Sequence, residues 1–177
     1  MSRTNPYKKK RRSASRTLLM YGEGLCEEMF LKHLRSIYSR DSGVAVTIRN
    51  GKGGNALNII INAVNEPGDF DRRIVVLDND KDEQEMNKAR IEAKQKGIEV
   101  LENSPCLEAT LLAILQPNQT FSNKTSSWCK NEFQSNYMEK KKRTEINEYL
   151  KVFSKTTLDS QRINNSELNK LISLMEK

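Results

Sequence analysis

Two aspartates, Asp78 and Asp80, follow the most strand-like run of the chain, Arg73-Ile-Val-Val-Leu77. Residues two apart in an extended segment project to the same side, so these carboxylates can act together. Asp82 lies just beyond them. Oxygen ligands of this kind favour a hard divalent cation such as Mg²⁺ or Mn²⁺. A D-x-D pair alone is weak evidence, because aspartate at a strand end often only forms a turn.

A second group of acids follows the first apolar run, residues 17–21. Glu23 comes directly after that run, and Glu27 and Glu28 follow about one helical turn later. Ligands of open α/β sheets bind beyond the carboxyl ends of the strands, where Glu23 would lie within reach of the aspartate pair. Carboxylates that close raise one another's pKa unless a cation compensates them. The alternative is that Glu27 and Glu28 only complement a helix dipole.

The prediction of a metal site requires that the acids after the two strands lie close together in the folded chain. A bound divalent cation would polarise a phosphoryl oxygen and activate water, which is the chemistry of phosphodiester hydrolysis. The prediction fails if these acids face different surfaces, or if lysine and arginine partners already neutralise them.

Apolar runs and amphipathic stretches alternate along residues 17–115. Periodicity predicts strands at 17–21, 44–49, 73–77 and 98–101, and helices at 27–38, 55–66, 83–96 and 105–115. Ser104 is interpreted as the N-cap of the last of these helices and Pro105 as its first residue. The order predicts an α/β fold whose mostly parallel four-stranded sheet carries helices on both faces.

The rest of the chain is assigned by charge and periodicity. Residues 1–16 are predicted to be a basic disordered arm, 17–116 the α/β core, and 117–177 a helical extension packed on the core. Residues 128–153 are largely helical in pattern, and 166–177 form a last short helix. Aromatic residues interleaved with lysines in the extension could stack on bases, but contacts with the helix's own core are favoured: Trp128, Phe133, Tyr137 and Tyr149.

The formal net charge of +7 equals the charge of the first 16 residues, which hold no acid. Such an arm suggests salt-sensitive contacts to nucleic-acid phosphates, and the alternative is a solubilising tail. A second basic run lies in the extension. The candidate nucleic-acid-binding residues are Lys8, Lys9, Lys10, Arg11, Arg12, Lys140, Lys141, Lys142 and Arg143.

Other function classes are disfavoured. No apolar run is long enough for a membrane span, and the start lacks the features of a secretory signal, so a cytoplasmic protein is expected. The three cysteines, Cys26, Cys106 and Cys129, include no C-x-x-C pair, which disfavours a disulfide framework or thiolate zinc site. His33, the single histidine, is interpreted as a surface residue, which makes Ser/His or Cys/His hydrolysis unfavourable.

The acidic motifs resemble those of a known domain. Residues 21–28, Tyr-Gly-Glu-Gly-Leu-Cys-Glu-Glu, and 74–80, Ile-Val-Val-Leu-Asp-Asn-Asp, resemble the TOPRIM domain. Residues 102–112, Glu-Asn-Ser-Pro-Cys-Leu-Glu-Ala-Thr-Leu-Leu, are similar to the S-N-P-C-F-E-L-W segment of RloB-like proteins, a TOPRIM branch related to OLD-type nucleases. The resemblance covers roughly residues 16–115 and implies a TOPRIM/Rossmann-like fold. It departs at Leu107 and Thr110, where the family has aromatic residues.

The resemblance implies roles for individual residues. Glu23, Asp78 and Asp80 are implied to be catalytic and to bind the metal, with Glu27 or Glu28 completing a second site or steering water. Glu28 matches the second acid of the family pattern, whereas Glu27 stands where the pattern has Thr, so which one faces inward stays open. Glu108 matches the family's acid after Pro-Cys and is expected to support the site, with a helix-start acid as the alternative. Apart from the resemblance, Lys52 in the glycine-rich loop 50–54 is a possible contact to a substrate phosphate, and Asp82, just beyond the aspartate pair, is a possible supporting residue.

The sequence therefore predicts a Mg²⁺- or Mn²⁺-dependent nuclease that hydrolyses phosphodiester bonds in RNA such as tRNA, or in DNA. The resemblance implies a prokaryotic anti-phage role with an ABC-type ATPase as partner, and a homodimer is left open. One alternative is a non-catalytic TOPRIM-fold subunit that binds nucleic acid or protein in an ATPase-containing defence complex. A phosphatase or nucleotidyl enzyme is disfavoured, because its D-x-D usually follows the first strand.

Overall fold

A computed structural model describes residues 14–176. Its sheet has the order β2-β1-β3-β4, and each pairing is parallel. The strands are β1 (Arg16–Gly22), β2 (Val44–Asn50), β3 (Arg72–Asp78) and β4 (Glu99–Asn103). The predicted α/β class with a four-stranded parallel sheet is confirmed, and the layout fits a TOPRIM/Rossmann-like fold.

Helices follow the strands in alternation. The connecting helices are α1 (Leu25–Tyr38), α2 (Ala56–Asn65), α3 (Glu83–Gln95) and α4 (Leu107–Leu115). Beyond them come α5 (Ser126–Asn136), a 3₁₀ helix (Lys140–Thr144), α6 (Ile146–Val152), α7 (Lys155–Gln161) and α8 (Ser166–Glu176). Within residues 14–176, none of these helices combines the length and apolarity that crossing a membrane requires.

The two central strands are buried on both sides, which explains their continuous apolar runs. Leu19 and Val75 point to one face, where α2 and α3 cover them. Met20 and Ile74 point to the other face, which is covered by α1, α4 and the helices of the extension. Because β1 and β3 are neighbours, and Gly22 is level with Val76, both strands end at the same edge of the sheet.

Two predictions about the start of α4 are wrong. Cys106, and not Ser104, is the N-cap of α4, and Pro105 lies before the helix after a cis peptide bond. The side chain of Asp78 accepts a hydrogen bond from the N–H of Leu107. A residue distant in sequence thus satisfies one of the free backbone N–H groups in the first turn of α4. The prediction that residues 128–153 are largely helical is confirmed, and the segment consists of most of α5, the 3₁₀ helix and α6.

His33 is fully buried, contrary to the prediction of a surface position. Its Nε2 lies 2.8 Å from the carbonyl oxygen of Phe153, and Tyr149 and Phe153 pack near its ring. Burial lowers the pKa of His33, which favours the neutral imidazole. The side chain therefore joins α1 to the extension. Phe133 and Tyr149 are also buried, as the core interpretation of these aromatic residues predicted.

Candidate metal centre

The ends of β1 and β3 bring two of the predicted acids into direct contact. Glu23 Oε2 accepts a hydrogen bond from the backbone N–H of Asp78 at 3.1 Å. The backbone N–H of Glu23 in turn donates to the carbonyl oxygen of Val76 at 3.1 Å, which extends the pairing of the two strands by one residue. The predicted meeting of acids from the two strand ends is therefore present in the structure.

An open cleft of about 280 Å³ lies at this edge of the sheet, and we call it the acidic cleft. Four separate elements contribute a carboxylate to its lining: Glu23 after β1, Glu27 in α1, Asp78 at the end of β3 and Glu108 in α4. All four belong to first turns of helices or to strand ends, where the backbone is close to the sheet edge. Glu108, predicted to support the site, thus lies within it.

Glu27 faces the acidic cleft and Glu28 does not. Glu27 is 7% exposed and accepts a hydrogen bond from the N–H of Gly24 at 2.9 Å. Glu28 pairs with Lys32 at 2.6 Å and is hydrogen-bonded by Asn50. A Cβ on Gly22 would lie 2.7 Å from the Cβ of Glu27, so glycine at this position permits the close approach of α1 to the end of β1.

The acids of the cleft disfavour one another's ionisation. Burial, followed by the charge of Glu27, raises the pKa of the Asp78 carboxyl to about 8. Burial also raises the pKa of Glu27, and the charges of Glu108 and Glu23 act in the same direction. Such raised values are typical of carboxylates that share one site, and a bound cation would remove the repulsion between them.

Within residues 14–176, three cationic side chains reach these acids. Lys81 pairs with Glu23 at 2.7 Å. The ammonium of Lys130, from α5, lies 3.6 Å from Asp78 Oδ2 and 3.4 Å from Asp80 Oδ2. Burial alone would lower the pKa of Lys130, but the carboxylates of Asp78, Glu108 and Asp80 raise it. A positive charge thus already lies between the paired aspartates.

The third cation, Arg143, comes from the 3₁₀ helix. Its Nη1 donates to Glu108 Oε1 at 2.9 Å and its Nη2 to the carbonyl oxygen of Lys130 at 3.0 Å. Its guanidinium lies over the ring of Phe133. Arg143 is 9% exposed, so the prediction that it belongs to an exposed nucleic-acid-binding run is wrong. The carboxylate of Glu108 holds it inside, because a buried guanidinium requires a partner.

Sequence reasoning missed Lys130 and Arg143 as parts of the site. With Lys81 they balance part of the negative charge of the four cleft carboxylates and Asp80. Lysine and arginine partners therefore do reach the acids, but three cations face five carboxylates.

The remaining predicted residues lie around the cleft. Asp80 lies at its mouth beside Lys130. Asp82 is the N-cap of α3 and accepts a hydrogen bond from Gln84, which places it outside the cleft. Lys52 is exposed in the loop after β2 and adopts a positive φ of 59°. Gly53 of this loop lines the cleft and donates to the carbonyl oxygen of Glu23.

Two thiols accompany the acids. Ligand atoms of Asp78, Cys106 and Glu108 all lie within 4.8 Å of one another, which is compatible with binding of a metal ion. Burial, followed by the charge of Glu108, raises the pKa of Cys106 to about 12, and burial followed by Glu27 raises that of Cys26 to about 11. Both thiols are therefore protonated and are poor nucleophiles. The oxygen ligands remain the main candidates for holding a metal.

Of the two basic segments predicted to bind nucleic acid, the structure describes residues 140–143. Lys140 and Lys141 are exposed and Lys142 is half-buried, so this part of the run is accessible. Glu139 pairs with Lys141 and Lys142. Residues 8–12 of the predicted arm lie outside the described residues.

Comparison with protein families shows to which family the chain belongs. The model of the family described as RloB-like protein matches residues 18–173. The chain belongs to the RloB-like family. The match extends through the C-terminal extension that supplies Lys130 and Arg143, so the whole cleft of this RloB-like chain lies within the family region. No curated protein and no solved structure matches the chain.

Proposed function

We propose that this RloB-like chain is a metal-dependent nuclease of the TOPRIM type. It hydrolyses phosphodiester bonds in nucleic acid, either RNA such as tRNA or DNA, and serves prokaryotic defence against phage with an ABC-type ATPase as partner. The observation that carries the proposal is the convergence of carboxylates from four elements in the acidic cleft. The defence role and the ATPase partner rest on the resemblance alone.

The residues of the cleft fit a divalent cation. Their donors are mainly carboxylate oxygens, the ligands that Mg²⁺ and Mn²⁺ prefer. Lys130 acts as a stand-in, because its ammonium lies between Asp78 and Asp80 where a cation is favoured. Its side chain is 42% exposed, so it can move aside. Glu23, Asp78 and Asp80 would hold the ion, with Glu27 and Glu108 completing the ligand set.

Each part of the chain has a task in the proposed reaction. A bound Mg²⁺ would polarise a phosphoryl oxygen of the substrate and lower the pKa of a water molecule. Asp78 and Glu23 keep their relative position through the hydrogen bond between the Asp78 N–H and Glu23. Lys130, released from the aspartates, can contact the phosphate that is attacked. Gly53 lines the cleft and Lys52 beside it is exposed, so this loop can contact the substrate backbone.

One observation favours a second function. Lys81, Lys130 and Arg143 each pair with an acid of the cleft. A TOPRIM-fold subunit that binds nucleic acid or protein, and has no turnover, would have such partly neutralised carboxylates. That function predicts binding that is insensitive to chelator and no cleavage product with Mg²⁺ or Mn²⁺.

The direct test is cleavage of labelled tRNA, single-stranded DNA and duplex DNA with Mn²⁺ or Mg²⁺, and with EDTA. The variants are Asp78→Asn and Asp80→Asn, because asparagine at 78 can still accept the hydrogen bond from Leu107. We expect wild-type cleavage that EDTA prevents, and loss of cleavage in both variants with unchanged circular dichroism.

The matched control is Asp69→Asn, an exposed aspartate before β3, at the opposite edge of the sheet. It should cleave like the wild type. Electron paramagnetic resonance of Mn²⁺ gives a separate reading of metal binding. Cleavage that persists in Asp80→Asn would refute the assignment of the metal ligands, and the absence of cleavage on all substrates would favour the binding subunit.

A further inference from the structure

We propose that a second groove, beside the acidic cleft, binds the backbone of the polynucleotide strand that enters the cleft. The groove lies along α5, encloses about 470 Å³, and is called the α5 groove here. Its lining includes Ser126, Ser127, Asn131, Gln134 and Lys140. The inference rests on the proposed function, since it names the path by which that function's substrate reaches the acids.

The α5 groove and the acidic cleft are adjacent and share part of their lining. Lys130 and Arg143 line both of them, and Asp80 belongs to the groove while its partner Asp78 belongs to the cleft. The aspartate pair thus lies at the junction of the two. A strand lying in the groove would therefore present a phosphate at the carboxylates, and its next phosphates would contact α5 and the 3₁₀ helix.

The chemistry of the α5 groove suits a phosphodiester backbone. Lys130 and Lys140 supply positive charge, and serine and amide side chains supply neutral donors, the groups that commonly contact phosphate oxygens. Asp80 is the single acid in its lining, and Lys130 pairs with it. The donors of the groove form a row along α5, and such a row matches the repeated phosphates of a polynucleotide better than a single small anion.

Two buried polar atoms at this groove support a missing ligand. Ser126 Oγ and Arg143 Nε are buried and have no hydrogen-bond partner within residues 14–176. Arg143 is itself nine-tenths buried. Buried polar groups are normally satisfied, so these two atoms, one from α5 and one from the 3₁₀ helix, leave hydrogen-bonding capacity for a further partner at this groove.

Base stacking has no role in this inference. Trp128, which follows Ser127 in α5, stacks on Phe121 and carries the ammonium of Lys124 over its ring. Phe133 is buried in the core. Because the aromatic faces are occupied, the groove reads the sugar–phosphate backbone and not the identity of the bases.

The test is binding of a fluorescein-labelled, mixed-sequence oligonucleotide by the full chain in EDTA, measured by fluorescence anisotropy. The groove variant is Asn131→Asp/Gln134→Glu, which adds two negative charges to the lining without changing side-chain size. The control is Asn62→Asp/Gln95→Glu, the same pair of changes at exposed positions of α2 and α3, which cover the other face of the sheet. Overall charge changes equally in both.

We expect the groove variant to weaken binding by about tenfold or more, because like charges against phosphate are strongly unfavourable. The control should change Kd by less than about twofold, because exposed charges beyond a Debye length are screened. Lys140→Gln should lower the slope of log Kd against log salt by about 0.7 for a single strand or about 0.9 for a duplex.

If the groove variant and the control weaken oligonucleotide binding equally, the proposal of a backbone-binding groove is wrong, because the change in net charge alone would explain the weaker binding. Unchanged binding in both variants would also overturn it, and metal-dependent cleavage by the wild type would then leave the nuclease proposal standing. A wild-type chain that cleaves no polynucleotide but binds one through this groove would retain the groove and remove the nuclease.

Discussion

Glu27 and Glu28 are consecutive residues, yet Glu27 lines the acidic cleft while Glu28 pairs with Lys32 and is hydrogen-bonded by Asn50 at the end of β2. Burial, with a smaller contribution from neighbouring acids, raises the pKa of Glu27, whereas the carboxylate of Glu28 has a lysine partner one helical turn away. The two positions therefore form a natural matched pair. Substituting each with glutamine compares the same chemical change inside and outside the cleft.

Glu27→Gln should weaken Mn²⁺ binding by about tenfold or more, since loss of even a supporting partner of a metal site typically costs about 10–100-fold. Glu28→Gln should change the affinity by less than about twofold. Titration followed by electron paramagnetic resonance of free Mn²⁺ measures both. A larger effect of Glu28→Gln would show that the metal does not use the inner acid.

Lys130→Met should increase the affinity for divalent cations. The ammonium of Lys130 competes for the same carboxylate oxygens of Asp78 and Asp80. Unit charges about 4 Å apart near a protein surface interact by about 4 kcal/mol, so recovery of a part of this energy gives about tenfold tighter binding. Lys124→Met, in the connector before α5, is the control and should bind Mn²⁺ like the wild type. Weaker binding by Lys130→Met would contradict a competing role.

The pairing of the two aspartates and Glu23 was predictable because it depends on local patterns. Continuous apolar runs identify β1 and β3 as central strands, and acids follow each run directly. Because the two strands are parallel neighbours, these acids lie at one edge of the sheet, independently of the conformation of the loops. The sequence was sufficient for this part of the site.

The cations were not predictable, because tertiary packing positions them. Cys129 and Phe133 form the buried side of α5, and their contact with the core turns Lys130 toward the acids. Nothing in the local sequence distinguishes Lys130 from Lys124. The rotation of α1 that selects Glu27 over Glu28 likewise depends on the close contact with Gly22.

The metal-free chain should lose stability as the pH rises. The pKa of Asp78 is raised from 3.8 to about 8, mainly by burial, so the folded state binds this proton more tightly than the unfolded state. The stabilisation is complete below the unfolded value and is lost as the pH rises through the folded value. Glu27, whose pKa is also raised, acts in the same direction.

Urea unfolding in EDTA across this pH range measures the effect. The free energy of unfolding should fall less steeply with pH in Asp78→Asn than in the wild type, and Asp69→Asn should follow the wild type. Mg²⁺ should stabilise the wild type more at the alkaline end, where the carboxylates are ionised. Identical pH profiles for the wild type and Asp78→Asn would show that Asp78 ionises normally.

The buried pair of Glu108 and Arg143 should be the most sensitive ion pair of the cleft to substitution. Their side chains are 5% and 10% exposed, so removing one partner leaves an uncompensated buried charge. Arg143→Met should lower the free energy of unfolding by about 3–5 kcal/mol, and Glu108→Gln in the same chain should recover part of this loss. Arg143 also joins α4 to α5 through the carbonyl oxygen of Lys130, so the loss includes this contact.

Arg72→Met provides the control, because Arg72 and Glu99 form an ion pair whose side chains are 39% and 45% exposed. Such surface pairs contribute about 0–1 kcal/mol, so this variant should unfold close to the wild type in urea. A loss for Arg143→Met no greater than that for Arg72→Met would mean that solvent reaches Glu108. In that case Glu108 and Arg143 would behave as a surface ion pair, and the extension would contribute little through this contact.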